Sequence, residues 1–255
     1  MVDILSLVRL MQFGDSMLPT GAFAFSSALE AAVQTGVVHD AATLQQYVTA
    51  ALHQASTGDA VGLAFALRAL CDDTTSMGGP VQESTLSRLR EIDLALYRRK
   101  LPGEFRDMMV KTGRRLTELG VRATHSPLLS RWLSQLESGG TAGTYPVSLA
   151  VLFASTAFAD APIRRSDGTE EEALLQEALT VYFYGVAMGI LNASLRLMRV
   201  THFEVQAMLY RVSATFEALC AAALETPLER MTGYAPMTDI LSAVHAGGRV
   251  RLFMS

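Results

Sequence analysis

"ALTVYFYGVAMGILNASL", Ala178 to Leu195, runs for 18 residues without a charge, the length at which an apolar stretch becomes a candidate for crossing a bilayer. Its reading decides between a membrane protein and a soluble helical bundle. Asn192 lies inside it, Glu177 and Arg196 close it off, and no second apolar span of that length appears. Gly185, Gly189 and Ala193 recur every four residues and share one helical face, a smooth stripe where another helix backbone can approach closely. We read the stretch as a long helix buried in protein. Glu170, Glu171 and Glu172 open it, where carboxylates interact well with the positive end of the helix dipole.

Working outward, the 255 residues suit one large core, with half of them hydrophobic and 18% charged. That balance excludes disorder, and a net charge of −4 argues against a dedicated nucleic-acid binder. Cys71 and Cys220 have neither metal-ligand spacing nor a short-loop partner, as in a reduced, intracellular chain. The opening "MVDILSLVRLMQFGD" places Asp3 and Arg9 where a secretion signal has a basic start and an apolar middle. A cytoplasmic protein is expected.

Helical periodicity recurs along the chain. Leu44, Tyr47, Val48, Ala51 and Leu52 form an amphipathic stripe with Asp40 as N-cap. Val61 to Leu70 is apolar nearly all round, and such a helix is covered on every side. Cys71 to Gln82 reads as an exposed loop. Phe105, Met108, Met109, Leu116 and Leu119 mark a helix running to Gly120, a natural C′ residue. Leu128, Leu129, Trp132, Leu133 and Leu136 mark the next, and Pro146 begins another at N1. Thr201 and Glu204 form a capping box ahead of a stripe through Val205, Met208, Leu209, Val212, Phe216 and Leu219. No alternating strand, repeat or domain linker is found. The expected fold is all-α, a single domain over 1–255 of nine or ten helices around a long buried central helix, with a flexible tail from about residue 247.

Chemistry-bearing motifs are absent. There is no phosphate-binding glycine loop, no H-E-x-x-H and no paired cysteine motif. The five histidines, His39, His53, His125, His202 and His245, are scattered, as for isolated surface or capping roles, and no metal or cofactor is expected. Arg88 to Arg122 holds ten basic and five acidic residues, leaving the rest of the chain at −9. This segment fits a solvated face or an acidic protein partner better than RNA.

The segment "FGDSMLPTGAFAFSSALEAAVQTG", Phe13 to Gly36, is a shaped turn leading into a helix. Pro19 fixes its own φ, Leu18 is pushed out of the α region, and Gly21 is free to take positive φ. This segment resembles the N-terminal signature of the urease accessory protein UreF family. "LYRRKLPGEFRDMMVKTGRRLTEL" is similar to the family's arginine-rich helix pair, "YFYGVAMGILNASLRLM" to its long helix, and "YAPMTDILSAVHAGGRVRLFMS" to its closing segment. The four pieces follow the family's order across Leu10 to Ser255.

The resemblance implies an all-α protein without catalytic activity, a homodimeric chaperone of nickel insertion. Such a protein docks on UreD (also called UreH) and recruits the GTPase UreG, which carries nickel to apo-urease. Its motifs fall on Asp15, Ser16, Leu18, Pro19, Gly21, Phe23, Ser26, Glu30, Arg196, Tyr234, Asp239, Arg251, Leu252 and Phe253, and the resemblance implies that these bind partners. Two stretches depart from the pattern. The family's H-E-T-Q-Y before R-L-F-R-S is replaced here by His245-Ala-Gly-Gly-Arg249-Val, so only Arg251, Leu252, Phe253 and Ser255 match. After Arg196, Val200, Thr201 and His202 stand where Gly and Gln are common.

Two further expectations follow. Arg249 to Ser255 have no evident core to enter, so the tail is mobile when free and orders on binding, beside a preformed turn over Leu18 to Phe23. A different class of function, a helical small-molecule or cofactor-binding protein, would place its pocket beside the glycines of the long helix.

Overall fold

The computed structural model describes residues 4–73, 81–159, 169–233, 235–248 and 251–253. Its described residues form α-helices and short 3₁₀ turns, without strands. The chain opens with α1 (Ile4–Gly14), the turn carrying a 3₁₀ element over Ala22–Ala24, and α2 (Leu29–Gln34). Next come α3 (Ala41–Thr57), α4 (Asp59–Asp72), α5 (Glu83–Arg99), α6 (Gly103–Thr124), α7 (Pro127–Glu137) and α8 (Tyr145–Ser155). The long α9 (Thr169–Leu197), α10 (His202–Ser213), α11 (Phe216–Glu225) and α12 (Pro236–Ala246) complete it.

Several starts and stops are the expected ones. Asp40 caps α3, its carboxylate accepting from the Thr43 amide at 2.8 Å while the Thr43 hydroxyl accepts from the Asp40 amide at 3.0 Å, a reciprocal box that satisfies two helix-end donors. Thr201 and Glu204 form the same box on α10. Gly120, expected to end α6, lies inside it. The helix runs on to Thr124 and stops where His125 takes φ 53°, while Gly120 stays closely packed against Leu152 and Leu129.

The stripe from Val205 to Leu219 is broken into α10 and α11, which bend by 47°. The Ser213 hydroxyl donates to the Tyr210 carbonyl and the Thr215 hydroxyl to that of Val212, local bonds that compete with the helix ladder. With this break the described residues hold twelve α-helices, the shortest being the six-residue α2. Of the Cys71 to Gln82 loop, 74–80 lie outside the described residues.

The most enclosed element is α8, buried continuously from Pro146 to Phe153 between α4 and α6. Gly113 of α6 makes the close approach possible, since a Cβ there would collide with the Gly143 carbonyl and the Thr144 backbone. The buried Trp132 donates its indole N–H to the Ser148 hydroxyl at 3.2 Å. On the other side, α9 packs against α1, α2, α3, α4, α10 and α11. It is long and apolar enough to span a bilayer by length and composition, yet half of its most apolar window is buried inside the protein.

The start of α8 is set by Asp93 of α5, whose side chain is fully buried. Its two oxygens accept from the hydroxyls of Thr141 and Thr144, each at 2.5 Å, and from the amides of Gly143 and Thr144 at 2.8 and 2.7 Å. Replacing Asp93 with Ala leaves these donors buried without an acceptor. The expected loss is about 3 kcal/mol or more, since each unsatisfied buried group costs about 1–3 kcal/mol, and urea unfolding of Asp93→Ala against the parent chain measures it.

Candidate docking surface at the turn and tail

The N-terminal turn is built as its sequence demands. The Asp15 carboxylate accepts from the Met17 amide at 2.8 Å, its carbonyl from the Leu18 amide at 3.0 Å, and the Leu18 carbonyl from the Thr20 amide at 2.6 Å. Gly21 takes φ 81°, and a side chain there would be strained. It would also sit 2.6 Å from the Arg115 guanidinium. Leu18 packs against the core, while Pro19 is exposed and Phe23 is 65% exposed. The turn is tied to α9 by Asn192, whose side-chain amide donates to the Ser16 hydroxyl at 3.5 Å, and by Arg196, which donates to the Phe23 carbonyl at 2.9 Å.

The tail differs from expectation. Phe253 is only 4% exposed and belongs to the main apolar cluster. Its ring lies 4.0 Å from the Arg196 guanidinium carbon, a cation–π contact. The core it enters is assembled from α2, α9 and α12, which are far apart in sequence, so no local pattern announces it. Leu252 remains 62% exposed.

Glu30 of α2 holds the tail. Its carboxylate, almost wholly buried, accepts from the amides of Leu252 at 2.7 Å and Phe253 at 3.0 Å. The amide of Glu30 donates to the hydroxyl of buried Ser26 at 3.4 Å. The ring of His245 lies between two carboxylates, with Nε2 3.0 Å from Glu30 and Nδ1 3.0 Å from Glu104. Arg251 donates to Glu104 at 3.1 Å. His245 is therefore a buried cluster member with 2% exposure, not an isolated surface or capping histidine. Burial raises the Glu30 pKa, and the Leu252 amide, the His245 ring and the Phe253 amide more than offset it, holding the group below its ordinary 4.5.

Of the residues singled out by sequence, the structure gathers Phe23, Ser26, Glu30, Arg196, Arg251, Leu252 and Phe253 at one place, with Asp15, Ser16, Leu18, Pro19 and Gly21 in the adjoining turn. Asp239 stands apart in the first turn of α12; burial raises its pKa, and nearby Lys100 lowers it. Tyr234 lies outside the described residues. Glu104 and His245 were missed as site residues, whereas Arg115 lies in the basic segment read as suited to an acidic partner. Glu104 is one of five acids in the net-basic Arg88 to Arg122 segment, so nothing local marks it, and its partners lie 141 and 147 positions away.

Beside the turn opens a cavity of about 510 Å3 lined by Met17, Leu18, Phe23, Gly185, Gly189 and Arg196, among others. Asp59 and Lys100 also line it and form an ion pair at 2.8 Å. Tyr182 donates to Asp59 at 3.2 Å, and burial together with that carboxylate pushes its phenol well above the ordinary value. Among the described residues, no group of three or more His, Cys, Asp or Glu side chains could hold a metal ion.

A family model described as UreF matches residues 38–162. The urease accessory protein UreF of Yersinia pestis (strain Pestoides F) is 40% identical over 247 residues, which is 97% of each chain. The proteins of the same name from Yersinia pseudotuberculosis serotype I (strain IP32953) and Yersinia enterocolitica serotype O:8 match at the same identity and coverage.

The Glu30 contacts carry a signed pH dependence. Because its folded pKa is depressed, its stabilisation is complete above the unfolded value and fades as the pH falls through the lower folded value. Glu30→Gln is expected to cost about 1–3 kcal/mol at pH 7, with the gap to the parent chain closing in acid; urea unfolding at several pH values measures both. Phe253→Ala is expected to cost about 2–4 kcal/mol, seen as a lower melting temperature, where an unanchored tail would give no change.

Proposed function

The chain is a member of the urease accessory protein UreF family, and from that premise we propose that it is a non-enzymatic adaptor in nickel insertion into apo-urease. In this reading it docks on UreD (UreH), recruits and regulates the GTPase UreG, and reaches apo-urease through UreD. The nucleotide chemistry belongs to the GTPase, and nickel is cargo. The setting is cytoplasmic, and neither a membrane nor a nucleic acid takes part.

The observation that carries the proposal is the meeting of two family motifs far apart in sequence. Arg251, Leu252 and Phe253 of the closing segment lie against Glu30 of the opening segment, 222 and 223 residues away for the two amide bonds. Such an arrangement turns two short motifs into one surface with exposed apolar groups, Phe23 and Leu252. Exposed apolar patches rimmed by polar groups mark protein interaction sites.

The same argument supports a symmetric homodimer. Ile4, Leu7, Val8 and Met11 of α1 are all at least half exposed, and Phe203 and Tyr210 of α10 are more than four-fifths exposed. These faces suit burial in an assembly. A second reading, a binding site for a small apolar molecule, is favoured by the cavity beside Gly185 and Gly189.

Co-expression with the cognate UreD and UreG decides between the readings. The adaptor is expected to co-purify with both, to sediment as a dimer at micromolar concentration, and to be required for urease activity in cells supplied with nickel. If neither protein is retained and urease matures without the chain, the adaptor reading fails. A small molecule that raises the melting temperature of the isolated chain would then favour the second.

A further inference from the structure

Gly185 and Gly189 of α9 differ from the glycines that serve close packing. A Cβ at Gly62 would meet Leu96, one at Gly113 would meet the backbone before α8, and one at Gly120 would meet Leu152, but at Gly185 and Gly189 it would meet nothing within 4 Å. Glycine inside a helix is unfavourable relative to alanine, and no neighbour in this chain requires it at either position. The face expected to receive another helix of the same bundle is instead a wall of the cavity.

The surroundings indicate what suits that space. Met17 and Phe23 line it and are 76% and 65% exposed. Two guanidinium groups flank the turn. Arg196 donates to the Phe23 carbonyl and lies over the Phe253 ring, both neutral. Arg115, exposed on α6, lies against Gly21. Neither has a carboxylate within ion-pair distance among the described residues, whereas Lys100, Lys111, Arg114 and Arg251 each have one. The cavity is mainly apolar, with Asp15 and the paired Asp59 and Lys100 also on its wall; Arg196 on that wall and Arg115 at the outer side of the turn complement an apolar side chain with carboxylates beside it.

We infer that the cavity beside Gly185 and Gly189 is a socket for a protein segment that inserts an apolar side chain and pairs its acidic flanks with Arg115 and Arg196. This rests on the adaptor reading and deepens it, assigning the chemistry of the docking partner: an acidic, apolar-anchored segment of another maturation protein rather than a second copy of this chain.

Two variants test the socket without disturbing the fold. Gly189→Leu places a side chain in open space, and Arg115→Glu reverses an exposed charge. Each is expected to keep the melting temperature of the parent chain. Affinity for co-expressed UreD or UreG, measured with purified proteins, is expected to fall at least about tenfold for Gly189→Leu at any salt concentration. For Arg115→Glu the loss is expected at low salt and to shrink at about 0.5 M salt, because exposed charges are screened. Arg115→Lys is expected to retain most of the binding.

Several outcomes would overturn the inference. If the parent chain binds UreD or UreG and both variants bind as it does, the socket is wrong while the adaptor reading stands. Conversion of a dimer to a monomer by Gly189→Leu, with partner affinity intact, makes a second copy the occupant. A small apolar probe such as 8-anilinonaphthalene-1-sulfonate that binds the parent, is excluded by Gly189→Leu and leaves UreD and UreG affinity untouched makes the cavity a small-molecule site. If the parent chain binds neither protein, the adaptor reading fails and the socket falls with it.

Discussion

A carboxylate shut away from water sets the position of α8. Asp93 has no solvent contact, so its oxygens depend wholly on donors supplied by the protein. All four come from Thr141 to Thr144, which fixes the backbone just before α8 and places a carboxylate near the positive end of that helix. Since α8 is the wall against which α4 and α6 pack, an error in its start would displace both. Gly113 imposes the matching constraint from α6, because the loop that Asp93 holds passes where a side chain would otherwise be.

Glu30 uses the same physical device at the edge of the molecule, with a different consequence. Asp93 organises a loop between two helices that are held by their own cores, whereas Glu30 organises a chain end. Its acceptors meet the amides of Leu252 and Phe253, groups that would otherwise be hydrated. Around them a chain of contacts runs from Glu30 to His245 to Glu104 to Arg251. Removing one member leaves its neighbour buried and unmatched, which is costly in a low-dielectric setting. The tail therefore keeps this arrangement only while α2, the start of α6 and the end of α12 are all in place.

The helices were legible because their signals are local. Capping boxes at Asp40 and Thr201, the proline near the start of α8 and the apolar stripes depend on residues within a turn or two of one another. The all-α class followed from them. What escaped depends on distance in sequence. The stripe from Val205 to Leu219 keeps its period through the α10 to α11 bend, since apolar spacing does not record hydroxyls turning back onto the ladder at Ser213 and Thr215. Gly120 looked like a stop because its packing partner, Leu152, belongs to another helix. His245 looked isolated because its two carboxylates lie 141 and 215 positions away. At the candidate site, the family motif marked Glu30, Arg251 and Phe253 as belonging to one function, and only the fold supplied the bonds between them.

The docked tail also changes how the surface would act. A tail that orders on binding subtracts about 1–2 kcal/mol per backbone residue fixed from the affinity. Here Phe253 is already buried and Arg196 spans the two parts, its guanidinium over the Phe253 ring and bonded to the Phe23 carbonyl. The turn and residues 251–253 thus form one continuous face. An incoming partner would meet Phe23 and Leu252 already positioned and would gain from burying them without first ordering the residues that carry them. Coupling follows from the same geometry. Any change that frees Phe253 also removes a contact that holds Arg196 against the turn, so loss of the tail would loosen the opening segment 230 residues before it.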